Sequence, residues 1–228
     1  MVDLTASTQS DLAELVNSSV AKSGDVIAAE FQSAGRGRLD RSFEAPPESA
    51  LLFSFFLKPK RIRNDWSFIS FLAAIAMHEV VSKDVKDKVL LKWPNDILID
   101  DKKVAGLLAQ QIGDGVIVGI GLNVAMGADE LPVPTATSLA LAGSNNLDRN
   151  SLLGVFLNRF ENIFKEWDSG SDFSEEYRQI SSTLGRQVRV EVLGRDPIEA
   201  EAVAISAQGA LILSDGAEVN AGDVVHLR

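Results

Sequence analysis

The sequence predicts an α+β fold, a β-sheet flanked by helices and followed by a small β-barrel. Three observations carry this. Strand-length apolar runs recur through the first half of the chain. Two longer stretches space their apolar residues as one face of a helix. The tail then breaks into short strands at close intervals, with glycine-rich turns between them.

The elements follow in order. Ser10 or Asp11 suits the cap of a short helix carrying Leu12, Leu15 and Val16, which Gly24 ends. Residues Val26–Glu30 are short and β-like. Leu51–Leu57 is an apolar, β-rich run of the kind found in buried strands. Lys58, Lys60, Arg61 and Arg63 make a basic turn with the composition of a solvated one. Asp65 is placed to cap a helix running to about Val81. A meander follows: a strand at Val89–Trp93, a turn at Pro94–Asn95, a hairpin of Ile97–Ile99 and Val104–Gln111, and a return strand at Val116–Asn123. Met126–Thr137 reads as a loop. Asn150 opens a helix with the stripe Leu152, Phe156, Phe160, Ile163 and Trp167, and a second helix covers about Phe173–Leu184. The change of character near Leu184–Gly185 divides the chain into domains of residues 1–184 and 185–228, the latter with strands at Gln187–Val192, Ile198–Ile205, Ala210–Leu213 and Val224–Leu227.

Composition narrows the function. The chain has 228 residues, 46% of them hydrophobic, 24% charged, and none of them cysteine. Disulfides, thiolate zinc sites and a cysteine nucleophile are excluded. The amino terminus lacks the basic start and apolar core of a secretory signal, and the apolar runs fall short of the about 20 residues that span a bilayer. A cytoplasmic protein is expected, with no membrane or nucleic-acid partner, because the net charge is −10. His78 and His226 lack metal-ligand spacing and read as structural, and Trp93 reads as core.

Against that acidity, the stretch "QSAGRGRLDR", Gln32–Arg41, concentrates three arginines on a glycine-rich loop. It leads from strand to strand, so it is not a phosphate loop of the strand–loop–helix kind. An anion here must be held by guanidinium groups and loose backbone amides. Taken alone, the loop could equally be a solvated basic turn.

Three further segments decide the matter: "STQ" at Ser7–Gln9, "KWPNDILIDDKKVAGLLAQ" at Lys92–Gln110 and "GIGLNV" at Gly119–Val124. With the arginine loop, and in this order, they closely resemble the STN-like, Q-[ST]-x-GRGR-x-x-R, KWPND, K-[LVI]-AG and G-[IA]-G-[IL]-N segments of the biotin–protein ligases. The resemblance covers nearly the whole chain and implies a mixed-sheet catalytic domain with a small SH3-like barrel. It also implies the chemistry: biotinyl-adenylate made from biotin and ATP with Mg²⁺, then biotin passed to one lysine of a carboxylase carrier domain. Bringing the biotin carboxylate to the α-phosphate opposes two anions at ~4 kcal/mol per charge pair at 4 Å and an effective dielectric of 20. Fixed cations lower that barrier, and no side-chain nucleophile is needed.

By this resemblance Lys103 bridges carboxylate and phosphate. Arg36 and Arg38, with Gly37 between them, fold over the adenylate as a lid. Ser7, Thr8, Gln9 and Gln32 receive the biotin ring, and Gly106 lies beside the lysine. Asp96, with Asn95, meets Mg²⁺ or the phosphates, and Asn123 contacts the nucleotide. Catalysis is thus expected of Lys103, Arg38 and Asp96. Each residue alone has an ordinary alternative: Ser7 and Thr8 as helix caps, Asp96 as a turn residue, Lys103 as a solvated hairpin lysine. The ordered set outweighs them. The family usually has glycine where this chain has Asp40, and often tryptophan where it has Phe43. Aspartate tolerates φ > 0 better than most non-glycine residues, so Asp40 is expected to stand in for glycine. Three rival readings are a lipoate–protein ligase, whose RRxSGGG-type stretch is absent, a non-catalytic biotin-sensing module, and a generic interaction protein. With six residues before Ser7, the short form without an N-terminal DNA-binding domain is expected, as a monomer or homodimer.

Overall fold

The computed structural model describes residues 1–38, 41–192 and 194–227. Asp40 lies outside the described residues. A seven-stranded mixed sheet is formed by β1 (Val2–Thr5), β2 (Val26–Gln32), β3 (Ala50–Leu57), β4 (Val89–Lys92), β5 (Asp96–Ile99), β6 (Lys102–Ile112) and β7 (Gly115–Asn123). Their spatial order is β1-β2-β3-β7-β6-β5-β4, with β1 parallel to β2 and every other pairing antiparallel.

One face of this sheet carries the main core. Phe53, Phe55, Val118, Ile120 and Leu122 point toward α2 (Ile69–Ser82) and α3 (Arg149–Asp168). The α3 stripe read from sequence is its buried set: Leu152, Phe156, Phe160, Ile163 and Trp167. Phe156 meets Phe53 edge-on at 5.2 Å between ring centroids.

The opposite face is covered only in part. At one end α1 (Thr8–Asn17) lays Leu12 on Phe56 and Ile117. At the other, Ala45, Ala50, Leu52 and Met126 pack beneath the arginine loop. Between these two patches the outward positions are small: Ser54 on β3 faces Gly119 on β7, and Gly121 pairs with Gly106 on β6. The period-2 alternation of β7 thus sets large residues against the core and glycines toward an opening.

Several boundaries differ from the sequence expectations. β1 is an additional strand, short and mostly exposed, so no apolar run marked it. α1 starts at Thr8 rather than at Ser10 or Asp11, because Gln32 Oε1, remote in sequence, accepts from the Thr8 backbone N–H at 2.8 Å. A 3₁₀ turn, Arg63–Phe68, precedes α2. Asp148, not Asn150, caps α3 by accepting from the Asn150 N–H. Helix α4 covers only Ser174–Gln179. The residues after it bond instead to β4, with Ser182 N donating to Leu91 O at 2.7 Å. In the basic turn Lys58, Lys60 and Arg63 are exposed as expected, but Arg61 is not free in solvent: its Nε donates to Trp167 O, its guanidinium lies 4.6 Å from the Trp167 ring, and Asp168 accepts from the Lys60 and Arg61 amides. This turn closes the carboxyl end of α3.

The tail forms an antiparallel sheet of β8 (Gln187–Glu191), β9 (Ile198–Ile205), β10 (Leu211–Leu213), β11 (Glu218–Val219) and β12 (Asp223–His226), in the order β11-β10-β9-β8-β12. The two-residue β11 was not expected. No pairing between β11 and β12 closes this sheet among the described residues. It docks on the first sheet through Gly209, whose carbonyl accepts from the buried Trp93 Nε1 at 3.0 Å.

Candidate active site

The uncovered part of the sheet is a cavity of about 340 Å³. Ser7, Thr8, Gln9, Gln32, Arg36, Gly37, Arg38, Asp96, Lys103 and Gly106 all line it. With Asn95, which lines it too, the structure therefore brings together, from several separate elements, eleven of the twelve residues that the sequence singled out.

One end is polar and nearly closed. Ser7, Thr8 and Gln9 are buried at the start of α1. Thr8 Oγ1 sits 3.0 Å from Gln32 Oε1 and 2.8 Å from Ser54 Oγ. Gln32 thus performs the capping that Ser7 does not, since the Ser7 side chain makes no cap hydrogen bond. Ser7 Oγ and Gln9 Nε2 are buried and find no hydrogen-bond partner among the described residues. An unsatisfied buried polar group costs about 1–3 kcal/mol, so both atoms favour a ligand with matching donors and acceptors. The glycines of GIG make this end possible. A Cβ at Gly119 would sit 2.5 Å from Gln9 Oε1, and one at Gly121 would sit 2.6 Å from the Phe43 ring.

The other end is charged. Lys103 Nζ lies 2.6 Å from Asp96 Oδ1, an ion contact, and that oxygen meets no well-aligned hydrogen-bond donor. Lys103 reaches the cavity because of a bulge. Between β5 and β6, Ile97 pairs with Ala105 but Leu98 pairs with Lys103, which leaves Val104 as the extra residue. Across a regular strand Lys103 and Gly106 would face opposite sides; the bulge turns the lysine to the same side. The K-x-A-G spacing is the sequence form of this geometry. The lysine stem then crosses Gly106, where a Cβ would stand 3.0 Å from both Cε and Nζ.

Arg38 Nη1 reaches Asn95 Oδ1 at 3.3 Å, and Asn95 Nδ2 donates to Leu107 O at 2.9 Å. Burial lowers the Arg38 pKa from its ordinary value, opposed by the charges of Asp223 and Asp96. Arg36 is exposed at the mouth. The loop is tied to the second sheet by an ion pair between Arg41 and Asp223.

Asn123 is the exception among the expected site residues. It does not line the cavity; its side chain is buried and Nδ2 donates to Thr137 O at 2.9 Å. Other residues escaped the sequence reading. Ser54 was signalled only by being the one hydroxyl in the buried run ALLFSFFL. Glu191, Asp223, Val224 and Val225 also line the cavity, although the tail looked devoid of chemistry. Only the docking of the two sheets brings them there.

Asp96, one of three carboxylates in the lining with Glu191 and Asp223, is the one that the sequence marked for a divalent cation. Among the described residues no group of three or more acidic or histidine side chains is arranged to hold a metal. Mg²⁺ is commonly bound through one or two carboxylates plus substrate phosphates. The donor set therefore fits an ion that arrives with a nucleotide, not a resident one.

Known proteins resemble this chain along its whole length. Residues 1–126 match the Biotin/lipoate A/B protein ligase family, and residues 183–227 match the Biotin protein ligase C terminal domain. The biotin--[acetyl-CoA-carboxylase] ligase of Mycobacterium tuberculosis is 35% identical over 236 residues, covering 100% of this chain and 88% of the relative. The bifunctional ligase/repressor BirA of Escherichia coli is 32% identical over 200 residues, covering 84% of this chain and 62% of that protein. The solved structure of the Aquifex aeolicus biotin protein ligase in complex with biotin and ATP superposes with a TM-score of 0.83 at 29% identity, covering 100% of this chain and 97% of the other. Motifs, cavity and likeness along the full length agree, and the chain belongs to the biotin–protein ligase family.

Proposed function

We propose that this protein attaches biotin to a lysine of a biotin carboxyl carrier domain, through biotinyl-5'-adenylate. The observation that carries the reading is the polarity of one cavity: unpartnered Ser7 Oγ and Gln9 Nε2 at the closed end, and Lys103, Arg38 and Asp96 at the open one. A ureido ring suits the first end and a carboxylate meeting a phosphate suits the second.

In the first half-reaction a biotin carboxylate oxygen attacks the α-phosphorus of ATP. The new P–O bond replaces the bond to pyrophosphate, which leaves. Lys103 turns from Asp96 to lie between the two anions, and Arg38 spreads its charge over the phosphate. Arg36, with Gly37 allowing the approach, closes the mouth and keeps water from the mixed anhydride. In the second half-reaction the neutral ε-amine of the acceptor lysine attacks the acyl carbonyl. AMP leaves with the bonding pair, and the amine gives up its proton. Asp96 would help hold a Mg²⁺ ion arriving with ATP, and that ion would supply charge neutralisation at the phosphates. Residues 1–184 form the catalytic domain in this reading and 185–228 a separate docking domain. In this reading the enzyme works in the cytoplasm, as a monomer or a homodimer.

The test combines purified protein, ATP, Mg²⁺ and a carrier domain with either biotin or lipoate, read by intact mass. A carrier gaining one biotinyl group, dependent on ATP, is the expected result. Lipoylation instead would move the assignment to the other branch of the family. That outcome is disfavoured because a dithiolane ring offers nothing to Ser7 Oγ and Gln9 Nε2.

A further inference from the structure

Lys103 is in register with Leu98 of β5, but its main-chain N–H and C=O point to the other side of β6, away from that partner. Strand β6 pairs with β7 only from Ala105, opposite Leu122, onward. β7 ends at Asn123, and the Val124 and Ala125 amides that follow both donate to Ser49 O, on the β3 side. The place beside Lys103 is filled by the segment around Ala136. Lys103 N donates to Thr135 O at 2.8 Å, and Thr137 N donates to Lys103 O at 2.8 Å. This short parallel bridge takes up both main-chain hydrogen-bonding groups of the lysine.

That segment belongs to a connection without regular secondary structure, and such segments keep one conformation only where something fixes them. The buried amide of Asn123 does so. Its Nδ2 donates to Thr137 O at 2.9 Å, while the main-chain carbonyl of the same residue accepts from Leu139 N at 3.0 Å. A carbonyl can only accept, so the amide orientation is set by chemistry. Ala136, Thr137 and Ser138 are themselves buried, so the bond is shielded from water.

We infer that Asn123 is a positioning residue for Lys103: it clamps Thr137, and Thr137 fixes the lysine main chain just before the bulge at Val104. This rests on the reading of Lys103 as the bridge between carboxylate and phosphate. It also replaces the nucleotide contact expected for Asn123 from sequence. The two roles predict opposite kinetics. A nucleotide contact raises the KM for ATP when it is removed. A clamp leaves substrate binding nearly intact and lowers kcat, because misplacing a reacting group by about 1 Å can cost about 10²-fold in rate.

The experiment measures pyrophosphate release from full-length protein with ATP and biotin for Asn123→Ala, Asn123→Asp and Lys103→Ala. Asn123→Asp has nearly the native volume but lacks the N–H donor, so it keeps the question measurable if the alanine variant folds poorly. Expected is a drop in kcat of about tenfold or more for both Asn123 variants, with KM for ATP and biotin within about twofold of wild type. Faster hydrogen exchange at the Thr137 and Lys103 amides should accompany it. A raised KM for ATP with unchanged kcat overturns the clamp, as does wild-type behaviour in the variant that folds. Lys103→Ala separates the two levels: if it keeps the wild-type rate, the role of the lysine is lost; if it is dead while the Asn123 variants are not, only the clamp is lost.

Discussion

Lys103 and Gly119 show how single residues divide the work of the cavity. Lys103 supplies charge, and Asp96 holds it in waiting at 2.6 Å. Lys103→Ala should reduce adenylate formation by at least about 10²-fold while the protein remains folded. Pyrophosphate release measured beside a thermal melt checks this, and a wild-type rate refutes it. Gly119 supplies room. Because a Cβ there would meet Gln9 Oε1 at 2.5 Å, Gly119→Ala should displace Gln9 and weaken biotin binding by roughly 5- to 100-fold. Calorimetry with biotin alone reads this directly, and unchanged affinity would remove Gln9 from the ring site. His226 is a different case. Burial, with Lys92 and Arg186 nearby, brings its pKa down to about 4 from 6.5. The folded protein then resists protonation that the unfolded chain accepts, so this histidine's contribution is complete above about pH 6.5 and declines as pH falls toward about 4. His226→Gln should flatten that part of the stability profile. Urea melts across the range decide it: an unaltered slope means that the neutral imidazole is not what the fold requires.

At the scale of elements, two features were legible and two were not. The α3 stripe was readable because 3.6-residue periodicity depends on local spacing alone. The strand β3 was readable from its apolar run. The start of α1 was not, since its cap comes from Gln32, and the basic turn after β3 was not, since its partners are the last residues of α3. Both involve residues far apart in the chain, which composition cannot pair. The turn can be tested. Arg61→Ala removes a bond to Trp167 O, a bond to Ser171 O and a stacked guanidinium, and should cost about 1–2 kcal/mol. Denaturant titration should show the midpoint falling with an unchanged slope. A neutral substitution would mean that this cluster is as dispensable as a solvated one.

For the whole molecule, the junction between the sheets matters more than the sequence suggested. Gly209 O accepts from Trp93 Nε1, and Arg41 pairs with Asp223 across the cavity mouth. Ending the chain after Leu184 should therefore lower the melting temperature and impair ATP use or carrier modification. The Ser7–Gln9 end, which touches none of these groups, should still bind biotin. A truncated protein that is folded yet binds no biotin would show that the two parts are a single functional unit.

The sequence by itself determined the layers, the family motifs and the residue types that the chemistry needs. Periodicity, glycine placement and motif order are local properties of a chain. Tertiary structure alone decided which face Lys103 occupies, because a bulge at Val104 turns it, and whether Asn123 meets ligand or backbone, because the Thr137 carbonyl lies against its amide. It also decided that Asp223, 182 residues from Arg41, stands at the same mouth. Hydrogen-bond partners between distant residues are chosen by packing, and packing exists only once the chain has closed on itself.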